Sequence, residues 1–182
     1  MQIKSAIHEA AHAVCAIATG GRVISLSLAE NETSCGRCRV MSAAGAEGPI
    51  ACAAYVAMSQ IGIYRLNGEE FHSDWRQLEK LFGLPRRKLF ESRQFRRAVQ
   101  RAEKQIKVHA VALDRIGLEL ARRTSISGGR VHQIFEESRT TSARTTNGAG
   151  HRIQAQSQSQ LIGEAQGGRR PTWAGITPPS FA

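Results

Sequence analysis

Aromatic side chains make up only 5% of this 182-residue chain, so its core has to be built mainly from aliphatic and alanine-rich helices. Hydrophobic residues reach 41%, enough for one domain with a real core. No apolar run attains the roughly 20 residues that a bilayer span needs. The longest, residues 50–66, contains Ser59, Gln60 and Arg65 and predicts a buried helix with no membrane partner. There are four cysteines, and the first helical pattern starts within a few residues of Met1, so no secretory leader is expected. Cys15, Cys35, Cys38 and Cys52 therefore read as reduced thiols of a cytoplasmic protein. Acidic residues are scarce too, 15 against 25 Lys and Arg, for a formal net charge of +10. That balance favours an acidic partner or nucleic acid, with attraction but no specificity.

What is present begins at residues 7–14, where His8-Glu9-Ala10-Ala11-His12 forms an H-E-x-x-H set inside an alanine-rich run. A helix turns once every ~3.6 residues, so His8 and His12 share a face and can bring two imidazole nitrogens to one zinc ion. Glu9 can reach a water at that metal and take its proton, the chemistry of a metallopeptidase. Ile3, Ile7, Ala10, Val14 and Ile17 follow a 4-3-4-3 spacing and predict a core stripe beside the histidine face. The bland alternative is a pair of structural histidines without metal.

The rest of the chain predicts a mainly α fold with a small β hairpin or sheet: a zincin-like active helix followed by a helical bundle. The first helix covers residues 3–18 and stops at Gly20-Gly21. Residues 23–28 read as a strand with Ile24, Leu26 and Leu28 on one face, and residues 37–42 as a second. The C-x-x-C at Cys35 and Cys38 can hold half of a structural zinc site, but no second pair accompanies it, so ordinary buried or turn cysteines are expected. Helices are expected from Pro49 to about residue 67 and from Ser73 or Asp74 to the Gly83-Leu84-Pro85 stop, with Trp75, Leu78, Leu81 and Phe82 apolar. One long helix is predicted over residues 91–122. Its stripe of Phe95, Val99, Ala102, Ile106, His109, Leu113, Ile116 and Leu120 makes His109 a core residue rather than a ligand. Its other faces carry Arg93, Arg96, Arg97, Arg101, Lys104 and Lys107, which join Arg86, Arg87 and Lys88 in a basic patch. A short last helix spans 129–138. The folded domain is thus 1–138, and 139–182 is a low-complexity tail expected to be disordered.

A catalytic zinc needs a third protein ligand. The extended motif with histidine six residues on is absent, since Cys15 and Ala18 occupy those places. Glu69, Glu70, His72 and Asp74 each offer a suitable atom, and chemistry does not rank them.

The residues His8-Glu9-Ala10-Ala11-His12-Ala13 resemble the H-E-A-G-H-A signature of the FtsH-type peptidase domain, the zinc protease half of the membrane-bound AAA proteases. Residues 61–65 with Glu69-Glu70 are similar to that domain's L-G-G-R-A-A-E-E helix. His72-Ser73-Asp74-Trp75-Arg76-Gln77-Leu78 is similar to its S-N-D-L stretch, and residues 126–131 to its end. The resemblance implies Asp74 as third ligand beside His8 and His12, Glu9 as catalytic base and zinc as cofactor. It implies a zinc metalloendopeptidase acting on protein or peptide substrates, with residues 23–28 as the sheet edge that pairs with an extended substrate. No G-x-x-x-x-G-K-[ST] loop precedes the motif, so the expected protein is a free-standing peptidase domain that borrows a separate unfoldase or needs none. Hexamers are not carried over. The competing reading is a basic helical module binding nucleic acid or an acidic protein, its peptidase centre degenerate or unused.

Overall fold

Alanine decides how the first helix sits. In the computed structural model, which describes residues 2–28, 36–60 and 72–147, helix α1 (Gln2–Ala18) is enclosed on most sides, with Ala6, Ala10, Ala11, Ala13, Val14 and Ala16 fully buried. The expected stripe is displaced: Ile3 is exposed and Ile7 and Ile17 are half-buried. Small side chains let neighbouring helices come close, and at Gly117 a Cβ would stand 3.2 Å from the Ile7 side chain. The burial therefore falls on the alanines rather than on the isoleucines.

Strands β1 (Arg22–Ser27) and β2 (Arg37–Met41) form the expected antiparallel hairpin. Its facing differs from the simple alternation. Val23 pairs with Val40 but the next partners are Ser25 and Arg39, so Ile24 is an extra residue. This bulge leaves Ile24 exposed and buries Val23 and Leu26. The Val23 N–H donates to Nε2 of His132. A third strand, β3 (Ser125–Ser127), pairs antiparallel with β1 where the sequence suggests only a break. The order is β2-β1-β3, so β1 is the central strand. The expectation that residues 23–28 form a free edge is wrong, because both sides of β1 are occupied.

Helix α2 (Glu47–Gln60) carries an unbroken buried run from Pro49 to Met58 and packs on α1 and on α5. Helix α3 (His72–Phe82) keeps Trp75 and Leu78 inside, while Leu81 is exposed, against expectation. A short helix α4 (Arg86–Leu89) follows. The few aromatics concentrate here: Tyr55, Trp75, Phe82, Phe90 and Phe95 meet in edge-on and tilted contacts with centroids 5.4 to 6.2 Å apart, a spacing aromatic pairs favour.

The long helix predicted for 91–122 is two, α5 (Arg93–Val108) and α6 (Ala110–Arg123), broken at His109 with φ −112° and ψ 28°. His109 is half-buried against Phe135, and burial lowers its pKa. The break lets α5 lie on α2 while α6 lies on α1. Helix α7 (Gly128–Asn147) runs past the predicted end at residue 138; residues 148–182 lie outside the described residues. None of the described helices is long and apolar enough to cross a membrane.

Candidate metal centre

The site grows from two helices. One turn of α1 separates His8 from His12, and α3 brings Asp74, in its first turn, against them. Trp75, the next residue, is buried in the aromatic junction with α2 and α5, which fixes the start of α3 relative to α1. Ligand atoms of His8, His12 and Asp74 lie within 4.8 Å of one another, and no other such group of three occurs among the described residues. Of the four open candidates for a third ligand, Asp74 is the one whose side chain is among the described residues, and it meets both histidines. Glu69 and Glu70 lie outside the described residues, as does the side chain of His72.

Asp74 Oδ2 is 3.0 Å from His8 Nε2 and 3.6 Å from His12 Nε2, and the two Nε2 atoms are 3.3 Å apart. Despite this proximity, Asp74 Oδ2 is buried without a hydrogen-bond partner of acceptable geometry. Three ligand atoms this close together, two imidazole nitrogens and one carboxylate oxygen, are grouped as a cation would need them. Ligands at about 2.0–2.2 Å from a tetrahedral ion stand roughly 3.3 Å apart, and the three separations bracket that value. Two imidazoles and one carboxylate are also a donor set that zinc accepts while keeping a position open.

His12 Nδ1 donates to the Ile50 carbonyl of α2 at 2.8 Å. A carbonyl can only accept, so Nδ1 carries a proton and Nε2 is the nitrogen left for a ligand role. Burial works to lower the His12 pKa, but the Asp74 carboxylate, helped by Glu9, outweighs it and pushes it up to about 9. For Asp74, burial works upward and the two imidazoles more than cancel it, holding the carboxyl well below its ordinary range.

Glu9 is buried beside them, with Oε1 4.0 Å from His8 Nε2. Burial raises its pKa, against the pull of His12 and His8 and of the Cys38 backbone N–H that donates to it. Gly36, at φ +144°, passes directly over this side chain: a Cβ there would stand 2.9 Å from Glu9 Cγ and 2.7 Å from the Ser27 carbonyl oxygen. A cavity of about 190 Å³ opens above the triangle, walled by Gly36, Arg37, Cys38 and Val40 on one side and by Ile50, Ala51, Ser73 and Gln77 on the other. Sequence reasoning missed Gly36, the Ile50 carbonyl and Gln77. Only the turn-forming glycine carried a signal, and it did not say what the turn approaches.

Cys38 lines the cavity, and burial, with the nearby Glu9 charge, pushes its thiol up. Burial pushes Cys15 and Cys52 up to about 12. All three are neutral, free thiols; Cys35 lies outside the described residues. No protein-family model matches the chain, and no curated protein matches it.

Proposed function

We propose that this protein is a zinc-dependent metallopeptidase, hydrolysing peptide bonds in protein or peptide substrates. The observation that carries the reading is the convergence of His8, His12 and the buried Asp74 Oδ2, with Glu9 buried at their side. His8, His12 and Asp74 would hold zinc. When bound, zinc supplies Lewis acidity, making water nucleophilic near neutral pH and polarising a carbonyl.

Glu9 performs the proton transfers. Burial raises its pKa above the ordinary carboxylate value, and a more basic carboxylate suits a group that takes a proton from the attacking water and returns one to the departing amine. The Cys38 N–H and the close backbone at Gly36 keep the carboxylate aimed into the cavity. His12 is oriented through the Ile50 carbonyl, so that its Nε2 faces the site.

Substrate belongs on β2 rather than on β1. The outer side of β2 is unpaired among the described residues, and Arg37, Cys38 and Val40 line the cavity. An extended peptide adding to that edge would lie across the site. The 182 residues contain no G-x-x-x-x-G-K-[ST] loop, so nothing in them supplies ATP-driven unfolding, and flexible segments are the substrates in keeping with the cavity.

The test combines metal analysis with cleavage. Wild-type protein is expected to retain about one zinc per chain, lost in His12→Ala and Asp74→Ala. Glu9→Gln should keep the metal and lose cleavage of an unfolded protein substrate by about 10²–10⁴-fold. Wild-type protein that binds no zinc, or Glu9→Gln protein that cleaves normally, overturns the reading.

A further inference from the structure

The solvent face of α5 is the most one-sided surface among the described residues. Phe95, Ala98, Val99, Ala102 and Ile106 are buried on one side of the helix. The opposite side exposes Arg93, Arg97, Arg101 and Lys104 in a row at four-, four- and three-residue steps, flanked by Arg96, Gln100 and Lys107. The one acid in the helix, Glu103, is taken by Lys107 at 2.6 Å. Arg93, Arg96, Arg97, Arg101 and Lys104 have no ion-pair partner among the described residues. Just upstream, α4 adds exposed Arg87 and Lys88.

An ordinary solvated helix face mixes signs, and this protein does so elsewhere. On α6 and α7, Arg115, Arg123, Arg130 and Arg139 all sit in ion pairs with Glu137, Glu119 or Glu136. On α5, like charges three and four residues apart repel, and arginines in the first turn oppose the helix dipole with no acid to offset them. The fold accepts these costs in one place. Arg97, Gln100, Arg101 and Lys104 also frame a shallow concavity of about 370 Å³, an opening wide enough for a phosphate between forked donors.

We propose that the α4–α5 face binds the phosphate backbone of a nucleic-acid duplex, apart from the metal centre and independently of the peptidase reading. Arginine is the chief contributor, and its planar guanidinium matches phosphate oxygens in pairs. The row runs along a straight helix roughly 24 Å long, opposite a duplex that carries one charge every ~1.7 Å of its axis. Single strands are disfavoured because the face offers no aromatic ring for base stacking. Acidic protein surfaces are disfavoured because the face offers no exposed apolar anchor among the cations.

The experiment is fluorescence anisotropy of a short DNA duplex of arbitrary sequence, titrated with full-length protein at several salt concentrations. With about five phosphate contacts, affinity should fall about 500-fold between 50 and 200 mM salt. Replacing Arg97, Arg101 and Lys104 together by alanine should weaken binding at least ~10-fold and flatten the salt slope by about 3. Alanine suits exposed helix positions, so the fold should persist, which circular dichroism checks. Arg122→Ala with Arg123→Ala, a charge loss on α6, should change binding little, and Glu9→Gln not at all. The proposal is overturned if wild type does not bind or if both arginine variants weaken binding equally, which would leave only the net charge as cause. It is also overturned if a single strand binds better than the duplex, or if polyglutamate competes as well as duplex per charge.

Discussion

His12 donates through Nδ1 to the Ile50 carbonyl and turns Nε2 toward Asp74. In the metal-free protein the nitrogen proposed to hold zinc therefore keeps a proton up to about pH 9. A metal ion must displace that proton, so binding and titration compete. Below the raised pKa each unit of pH increase lowers the competing proton concentration tenfold, and zinc affinity should climb about tenfold per unit, flattening only near pH 9. A histidine with its ordinary pKa would flatten above roughly pH 7. Competition against a chromogenic chelator between about pH 6 and 8.5 measures this, and a plateau from pH 7 upward would sink the Asp74–His12 pairing. At this scale His8, Glu9 and His12 were legible in the sequence, because helical spacing alone puts the two histidines on one face. Asp74 was legible only through a family likeness, since its distance along the chain carries no geometric information.

Among the elements, β2 has a second task beyond pairing with β1. Its approach at Gly36 lays backbone against Glu9, with no space for a Cβ and a φ that side chains rarely adopt. Gly36→Ala should cost about 1–3 kcal/mol of stability and displace the Glu9 carboxylate, lowering turnover on the order of 10²-fold, while zinc content stays at the wild-type level because His8, His12 and Asp74 are untouched. Urea unfolding, metal analysis and cleavage rates of the same preparation separate these effects; full turnover in a folded variant would remove Gly36 from the site. Elements were read unevenly from sequence. The first helix, the hairpin, and the approximate onset of α2, α3 and α7 followed from periodicity and breaking residues, although Ser73 and Asp74, expected as caps, stand inside α3. The break at His109 did not, because the apolar stripe passes from Ile106 to Leu113 in seven residues, two turns, and keeps its phase across the interruption. Likewise β3 is three residues long, too short for an alternating pattern, and exists because β1 offers it a partner.

For the molecule as a whole, the proposed zinc joins α1 to α3, two helices whose starts are far apart in the chain. Binding to the native state alone stabilises it by RT ln(1 + [L]/Kd), about 2.7 kcal/mol at a hundredfold excess over Kd. For a domain of this size that corresponds to a rise in the unfolding midpoint of roughly 5–10 °C. Chelator should therefore lower the wild-type midpoint by that amount in differential scanning fluorimetry and leave Asp74→Ala unmoved. A wild-type midpoint indifferent to chelator and to added zinc would argue that the triangle holds no metal. The basic helix adds a separate expectation: duplex binding through α5 should persist after chelation, since its cations take no part in the triangle.

A mainly helical fold with a small sheet, a two-histidine and glutamate motif on the first helix, and a strongly cationic helix downstream all follow from local spacing and composition. That β1 is the central strand emerges only from long-range pairing, which moves the expected edge to β2. Tertiary packing also decides that the long helix divides so that α5 packs on α2 and α6 on α1, that scarce aromatics gather to seat α3, and that Asp74 stands 3.0 Å from His8. Each of these depends on contacts between segments distant in sequence, where packing and the closing of the backbone's hydrogen bonds, rather than residue preference, select the arrangement.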